Sequence, residues 1–414
     1  MLLPVIRSYL ITHDCGGKHI IYHETCCSSS NMSHTFINKS AKGVVVDGPS
    51  SSAASQVLAF HQNLPHYEQT PLHSLPQVAK ELQLGHVFVK DESNRFGLPS
   101  FKVLGASWAV YRALTDRLRL EPAAFMEDNR GSQFWARLGS MARAEELSLV
   151  SCTEGNWGRA VARMAKYIGV PAAIYVPSFM PETTRARIRS EGAELLVVDG
   201  SYDDGVAAAR AEAERNDLAI LAMDMGWEGY TAFPSWVVEG YSTMLNESDL
   251  QIKEATVGKA ATHAFIPVGV GSIAHAVTQH YKAFPNGHSS RASVMTVEPT
   301  TAACLRASLE SGEMTTVETG DSIMCGMNCG TLSSTAWQTL KSGVDADVTV
   351  TEEEAHAAVG ELSSMGLQPG PCGAATLSAL RTACIQAQDA LGLTQDAIVV
   401  LFCTEGKREY EIPA

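Results

Sequence analysis

No stretch of this 414-residue chain approaches the about 18 consecutive apolar residues that suggest a membrane-spanning helix. Positive charge is in the minority: 31 Lys and Arg stand against 45 Asp and Glu, a formal net charge of −14. That balance argues against nucleic acid or an anionic membrane surface as the main partner, although an acidic protein still holds anions in local pockets. Repeated cysteine spacing is missing too, so the ten cysteines do not suggest a disulfide framework. Cys26 and Cys27 are adjacent, and Cys325 and Cys329 lack the second ligand pair of a zinc site. None of the 13 histidines falls in an H-E-x-x-H pattern, and no metal site is expected. Internal repeats and long low-complexity segments are absent. What remains is an ordinary globular composition, 45% apolar and 18% charged, on a chain long enough for two cores. Reduced thiols in a cytoplasmic protein are the expectation.

Residues 1–32 mix a short apolar start with Arg7, His13, Asp14 and Lys18, and read as a loose tail outside the fold. The small-residue stretch 50–55 reads as a linker. From about Pro71 the pattern becomes strand alternating with helix. Residues 86–90, 147–152, 172–176, 194–198, 219–223, 264–268, 293–297 and 398–402 are strand candidates, several with the continuous apolar character of buried strands. Residues 101–114, 159–168 and 273–284 carry helical spacing. Residues 121–146 are more charged, and are expected to be an irregular insertion. Alternation of this kind predicts an α/β protein with parallel-rich sheets in two lobes, and a ligand cleft at the strand ends.

Three loops lie where such a cleft would be. The first, 90–102 (KDESNRFGLPSFK), ends in Lys102 at the start of an apolar helix. There the helix dipole disfavours an ammonium and is expected to lower the lysine pKa. The second, 151–159 (SCTEGNWGR), places Asn156 between Gly155 and Gly158, where backbone could approach a planar ring. The third, Gly269-Val270-Gly271-Ser272, follows an apolar strand and opens a helix, so its N–H groups suit a phosphate. With Ala274 and Glu298 it also fits a loose dinucleotide fingerprint, which leaves a nicotinamide or flavin site open for this loop taken alone.

In chain order these loops resemble the fold-type II pyridoxal-phosphate (PLP) enzymes, the superfamily of the tryptophan synthase β-subunit and threonine dehydratase. Residues 90–106 (KDESNRFGLPSFKVLGA), 224–230 (DMGWEGY) and 404–406 (TEG) are similar to the diaminopropionate ammonia-lyase family within it. The resemblance implies that Lys102 holds PLP as a Schiff base, that Asn156 lies beside its phenolic oxygen, and that Gly269, Val270, Gly271 and Ser272 bind its phosphate. It further implies Thr404 at the pyridine nitrogen and Asp224 at the substrate amino group. Glu154 stands where the family carries an aspartate as second base, Trp157 replaces a histidine, and Cys372 lies where Glu-Ser is expected. The implied architecture is a large PLP-binding domain of residues 33–105 and 236–414, a small α/β domain of 106–235, and the cofactor between them in a homodimer. The implied activity is β-elimination on an amino acid, foremost 2,3-diaminopropionate to pyruvate and ammonia. Dehydration of serine, threonine or hydroxyaspartate, β-replacement, and a catalytically silent PLP-binding protein are the alternatives.

Overall fold

The computed structural model describes residues 34–41, 51–129, 131–283 and 292–413, so the expectation for residues 1–32 lies outside them. Numbered in chain order, the strands among the described residues are β1 (Thr35–Ile37), β2 (Leu72–Ser74), β3 (His86–Asp91), β4 (Ser148–Cys152), β5 (Ala172–Pro177), β6 (Glu194–Val198), β7 (Ala219–Leu221), β8 (His263–Pro267), β9 (Ser293–Pro299), β10 (Ala346–Val350) and β11 (Ile398–Cys403). They form a seven-stranded sheet in the order β1-β10-β9-β8-β11-β3-β2 and a four-stranded sheet in the order β6-β5-β4-β7. All pairs are parallel except at the edges of the larger sheet, where β1 and β2 run antiparallel to their neighbours. Parallel neighbours need crossovers, and helices supply them. The α/β expectation is met.

The central strands show why. Every residue of β8 (HAFIP) and β11 (IVVLFC) is buried, as a strand covered on both faces requires. By contrast β6, expected to be buried, is an edge strand with Glu194 and Val197 exposed. Two irregular expectations are corrected. The linker expected over 50–55 overlaps a helix, Ser51–Gln62, which forms because Val57 and Phe60 bury one face of it. Residues 121–146 hold the helices Pro122–Asp128 and Ser132–Ala144. Phe134, Leu138 and Ala142 recur at four-residue steps and are fully buried, and this apolar stripe outweighs the charged composition.

The helix Lys102–Arg117 packs backbone-close against Ala232–Gly240. A Cβ on Gly105 would lie 2.7 Å from Val237 Cγ1, and one on Gly240 would lie 2.6 Å from the Leu104 carbonyl oxygen. Upstream of that helix sits a cluster of four charges, none of whose side chains is more than 5% exposed. The Arg95 guanidinium meets Glu92 through Nε (2.8 Å) and Nη2 (2.6 Å), and meets Glu247 through Nη1 (3.0 Å) and Nη2 (2.7 Å). Lys90 Nζ donates to Glu247 Oε2 at 3.0 Å, to the Thr70 carbonyl at 2.8 Å and to Gln251 at 2.9 Å. Burial alone would raise the Glu247 carboxyl, but Arg95 and Lys90 hold it below its usual range. Burial pulls the Lys90 ammonium down despite both carboxylates.

Glu247→Ala leaves two buried cations with one counter-charge and should cost about 3–5 kcal/mol of stability. Urea unfolding checks this, and a wild-type midpoint would show that the cluster does not hold the fold.

Candidate active site

The five predicted segments all follow the C-terminal ends of strands. Lys102 comes eleven residues after β3, Glu154 and Asn156 follow β4, and Asp224 follows β7; Gly269–Ser272 follow β8, and Thr404 follows β11 directly. Ligands bind at this rim in α/β sheets because the strands converge there on loops and helix N-termini.

The structure brings Lys102 and Asp224 into contact. Lys102 Nζ lies 2.6 Å from Asp224 Oδ2, joining a segment that follows the larger sheet to one that follows the smaller. Asp224 is 4% exposed, and the Lys102 side chain keeps 22% exposure. Burial lowers the lysine pKa, but the charge and hydrogen bond of Asp224 outweigh burial and set it above the ordinary value. The sequence expectation of a lowered pKa is therefore reversed. A helix dipole amounts to about half a charge at the N-terminus, whereas Asp224 offers a whole one at hydrogen-bond distance.

Glu154 sits half-buried in the turn before the helix Asn156–Ile168. Burial and the nearby Asp203 raise its pKa, so it keeps its proton to higher pH than an exposed glutamate. Asn156 is the first residue of that helix rather than part of the turn. Thr153 Oγ1 accepts hydrogen bonds from the Gly155 and Gly158 amides at 2.9 and 3.0 Å, which anchors the turn. The two glycines serve different ends. A Cβ on Gly158 would fall 2.2 Å from Thr153 Cγ2, so its smallness serves protein packing, while the space above Gly155 is open. Trp157 is held by its Nε1, which donates to the Ser151 hydroxyl and the Ala222 carbonyl, and its ring centroid lies 5.9 Å from Lys102 Nζ.

The glycine loop has the form of an anion seat. Gly271 adopts φ +91°, and no side chain caps the helix Ser272–Lys282 that it opens, leaving its first N–H groups toward the rim. Gly269 is required by packing, since a Cβ there would lie 2.7 Å from the Gly326 carbonyl oxygen. The Val270 carbonyl accepts from Ser333 N (2.8 Å), and Ser333 Oγ accepts from Gly226 N (2.7 Å). Ser333 thereby clasps the seat to the loop that carries Asp224. Glu298, the dinucleotide alternative's acidic partner, is consumed elsewhere. Its two carboxylate oxygens accept from Leu305 N and Arg306 N at 2.8 Å each, capping the helix Cys304–Ser311. Buried Thr404 packs against Gly373, where a Cβ would lie 3.0 Å from its amide nitrogen.

Sequence reasoning missed several neighbours. Cys329 is within the fields of Lys102, Asp224 and Glu154, and burial pushes its thiol up to about 12. Burial and then the Asp224 charge raise the Tyr202 phenol well above its ordinary pKa, and its sequence signal was no more than the Ser201–Asp204 capping box at its helix start. Glu405 accepts from Cys372 N at 3.1 Å; burial raises its pKa and Lys102 draws it back. Its signal was adjacency to Thr404.

A family model described as "Pyridoxal-phosphate dependent enzyme" matches residues 64–404. The chain is 33% identical to diaminopropionate ammonia-lyase of Salmonella typhimurium over 339 residues, 80% of each protein. It is 30% identical to the Escherichia coli protein of that name over 369 residues, 86% of this chain and 89% of the relative. The crystal structure of the Escherichia coli lyase in complex with D-serine superposes with a TM-score of 0.79 at 29% identity, covering 90% of this chain and 93% of the other.

Asp224→Asn removes the charge that holds Lys102 protonated, leaving burial unopposed. In protein stripped of bound carbonyl compounds, the labelling rate of Lys102 by an amine-selective reagent should half-rise at lower pH than in wild type. An unmoved profile would mean that Asp224 does not govern the lysine.

Proposed function

The chain belongs to the pyridoxal-phosphate dependent enzyme family, and from that premise we propose that it converts 2,3-diaminopropionate and one water to pyruvate and two ammonia. Its cofactor is PLP. The residues fit that group. An amine and a helix N-terminus without a side-chain cap both follow strand ends, and a neutral threonine hydroxyl follows β11. Lys102 would hold the aldehyde carbon, and Gly269, Val270, Gly271 and Ser272 the phosphate. Asn156 would hold the phenolic oxygen, and Thr404 the pyridine nitrogen, leaving it largely unprotonated.

When bound, the cofactor supplies an electron sink for the substrate α-carbon. Lys102 Nζ in its neutral form would take the α-proton, oriented by Asp224 Oδ2, 2.6 Å away. Glu154, which keeps its proton to raised pH, donates it to the departing β-amine. The observation that carries the choice of substrate is the likeness to diaminopropionate ammonia-lyase, 33% identical over 80% of each protein.

On the same reading residues 33–105 with 236–414 form the large lobe and 106–235 the small one, in a cytoplasmic homodimer. No helix among the described residues is long and apolar enough to cross a membrane.

Purified enzyme given L-2,3-diaminopropionate should release pyruvate with two ammonia equivalents. A 2-oxo acid with one ammonia from serine or threonine would indicate a dehydratase instead, and a new amino acid a β-replacement enzyme. Lys102→Ala should lower kcat by about 10²–10⁴-fold, the range for a positioned acid or base. Glu154→Gln should lower kcat by about 10²-fold, with its pH profile losing the alkaline limb, because the group that must stay protonated is gone.

A further inference from the structure

Tyr241 lies at the junction of the helices Ala232–Gly240 and Ser242–Ala255 and is completely buried. Its hydroxyl has no hydrogen-bond partner among the described residues. A buried phenol that has lost water and found no acceptor is destabilising, so such a group calls for an explanation. Its aim is fixed. Were Gly105 to carry a Cβ, that atom would lie 2.7 Å from Tyr241 Cε1 and 2.8 Å from Cζ, and the Phe101 ring packs 4.9 Å away, centroid to centroid. The ring is thus wedged against the first turn of the Lys102 helix, and its hydroxyl faces the Ser272 hydroxyl without meeting the geometry of a hydrogen bond.

Ser272 opens the helix whose first N–H groups have no side-chain cap, behind Gly271 at φ +91°. Around one point the fold therefore gathers a phenol, an alcohol and backbone amides. These groups supply several donors and no fixed negative charge, which suits an anionic oxygen. Burial and then the Asp224 charge push the phenol far above its ordinary pKa, so it remains a donor at any working pH.

We propose that the Tyr241 hydroxyl donates a hydrogen bond to the phosphate of the bound cofactor. This deepens the cofactor reading above and rests on it. None of the motifs marks Tyr241, which reaches the seat from a helix pair outside the three loops. The group is a liability in the cofactor-free protein and is satisfied only when the phosphate arrives.

The test is Tyr241→Phe. Wild type and variant are stripped of cofactor and titrated with PLP and separately with pyridoxal, which lacks the phosphate. Absorbance reports the Schiff base at Lys102, and ³¹P resonance reports the bound phosphate. PLP affinity should fall about 10- to 100-fold, the value of a hydrogen bond to a charged group. Pyridoxal affinity should stay within about twofold, the ³¹P resonance should move, and the stripped variant should melt no lower than wild type. PLP affinity unchanged in the variant, an equal loss for pyridoxal, or a lower melting temperature of the stripped variant would each overturn the proposal. Wild type that takes up no PLP would overturn the cofactor reading itself, a result that the unmutated protein alone delivers.

Discussion

Four charges buried together decide where the site begins. Lys90 belongs to β3, Glu92 and Arg95 to the loop that follows it, and Glu247 to the helix Ser242–Ala255. Because water cannot screen them, any displacement of one member strands another, and strand, loop and helix move as one piece. The loop then folds on itself, with Arg95 and Leu98 exchanging backbone hydrogen bonds across Gly97 at φ +72°. It is tied to the end of β11 by Gly406 N to the Pro99 carbonyl (2.9 Å) and Phe101 N to the Thr404 carbonyl (3.3 Å). Lys102 is the next residue. Its position relative to Thr404 is thereby set by backbone, not by the flexible reach of a lysine. Replacement of such clusters by apolar residues is often neutral or stabilising in other proteins, which points to placement rather than raw stability as the gain here.

A second constraint acts across the cleft. The Lys102–Asp224 contact spans segments that follow two different sheets, and Ser333 repeats that span by bonding the Asp224 loop to the glycine seat. The lysine, its carboxylate and the glycine loop are mutually located by short polar links. Proton transfer demands this kind of precision, since a misplacement of about 1 Å can cost on the order of 10² in rate. The carboxyl groups around Lys102 also divide by environment. Asp224 supports the ammonium, while Glu154, desolvated and beside Asp203, retains its proton. A carboxyl held protonated by its surroundings is suited to act as a proton donor.

Much of this could be read along the chain wherever the signal was local. Continuous apolar runs marked β8, β9 and β11, and glycine, asparagine and lysine at strand-to-helix junctions marked the rim. The edge strands β1 and β2 escaped notice, as did β10, whose sequence ADVTV alternates rather than forming a continuous apolar run. The helix Ser51–Gln62 and the pair within 121–146 were misread because their apolar stripes are sparse among small or charged residues. Those helices exist by virtue of the core they cover.

What the amino-acid sequence by itself determined was the inventory: an α/β chain, a lysine at a helix start, an asparagine turn and a glycine seat, each encoded within a dozen residues. Only the tertiary structure decided which of these act on one another. It placed Asp224 against a lysine 122 residues away and so reversed the expected shift of its pKa. It joined Arg95 to Glu247 across 152 residues, gave Glu298 to a helix N-terminus, and brought the Tyr241 hydroxyl near Ser272. The physical reason is the same in each case. Local propensity sets the backbone over a few residues, but electrostatic and packing energies depend on distances that only the folded chain defines.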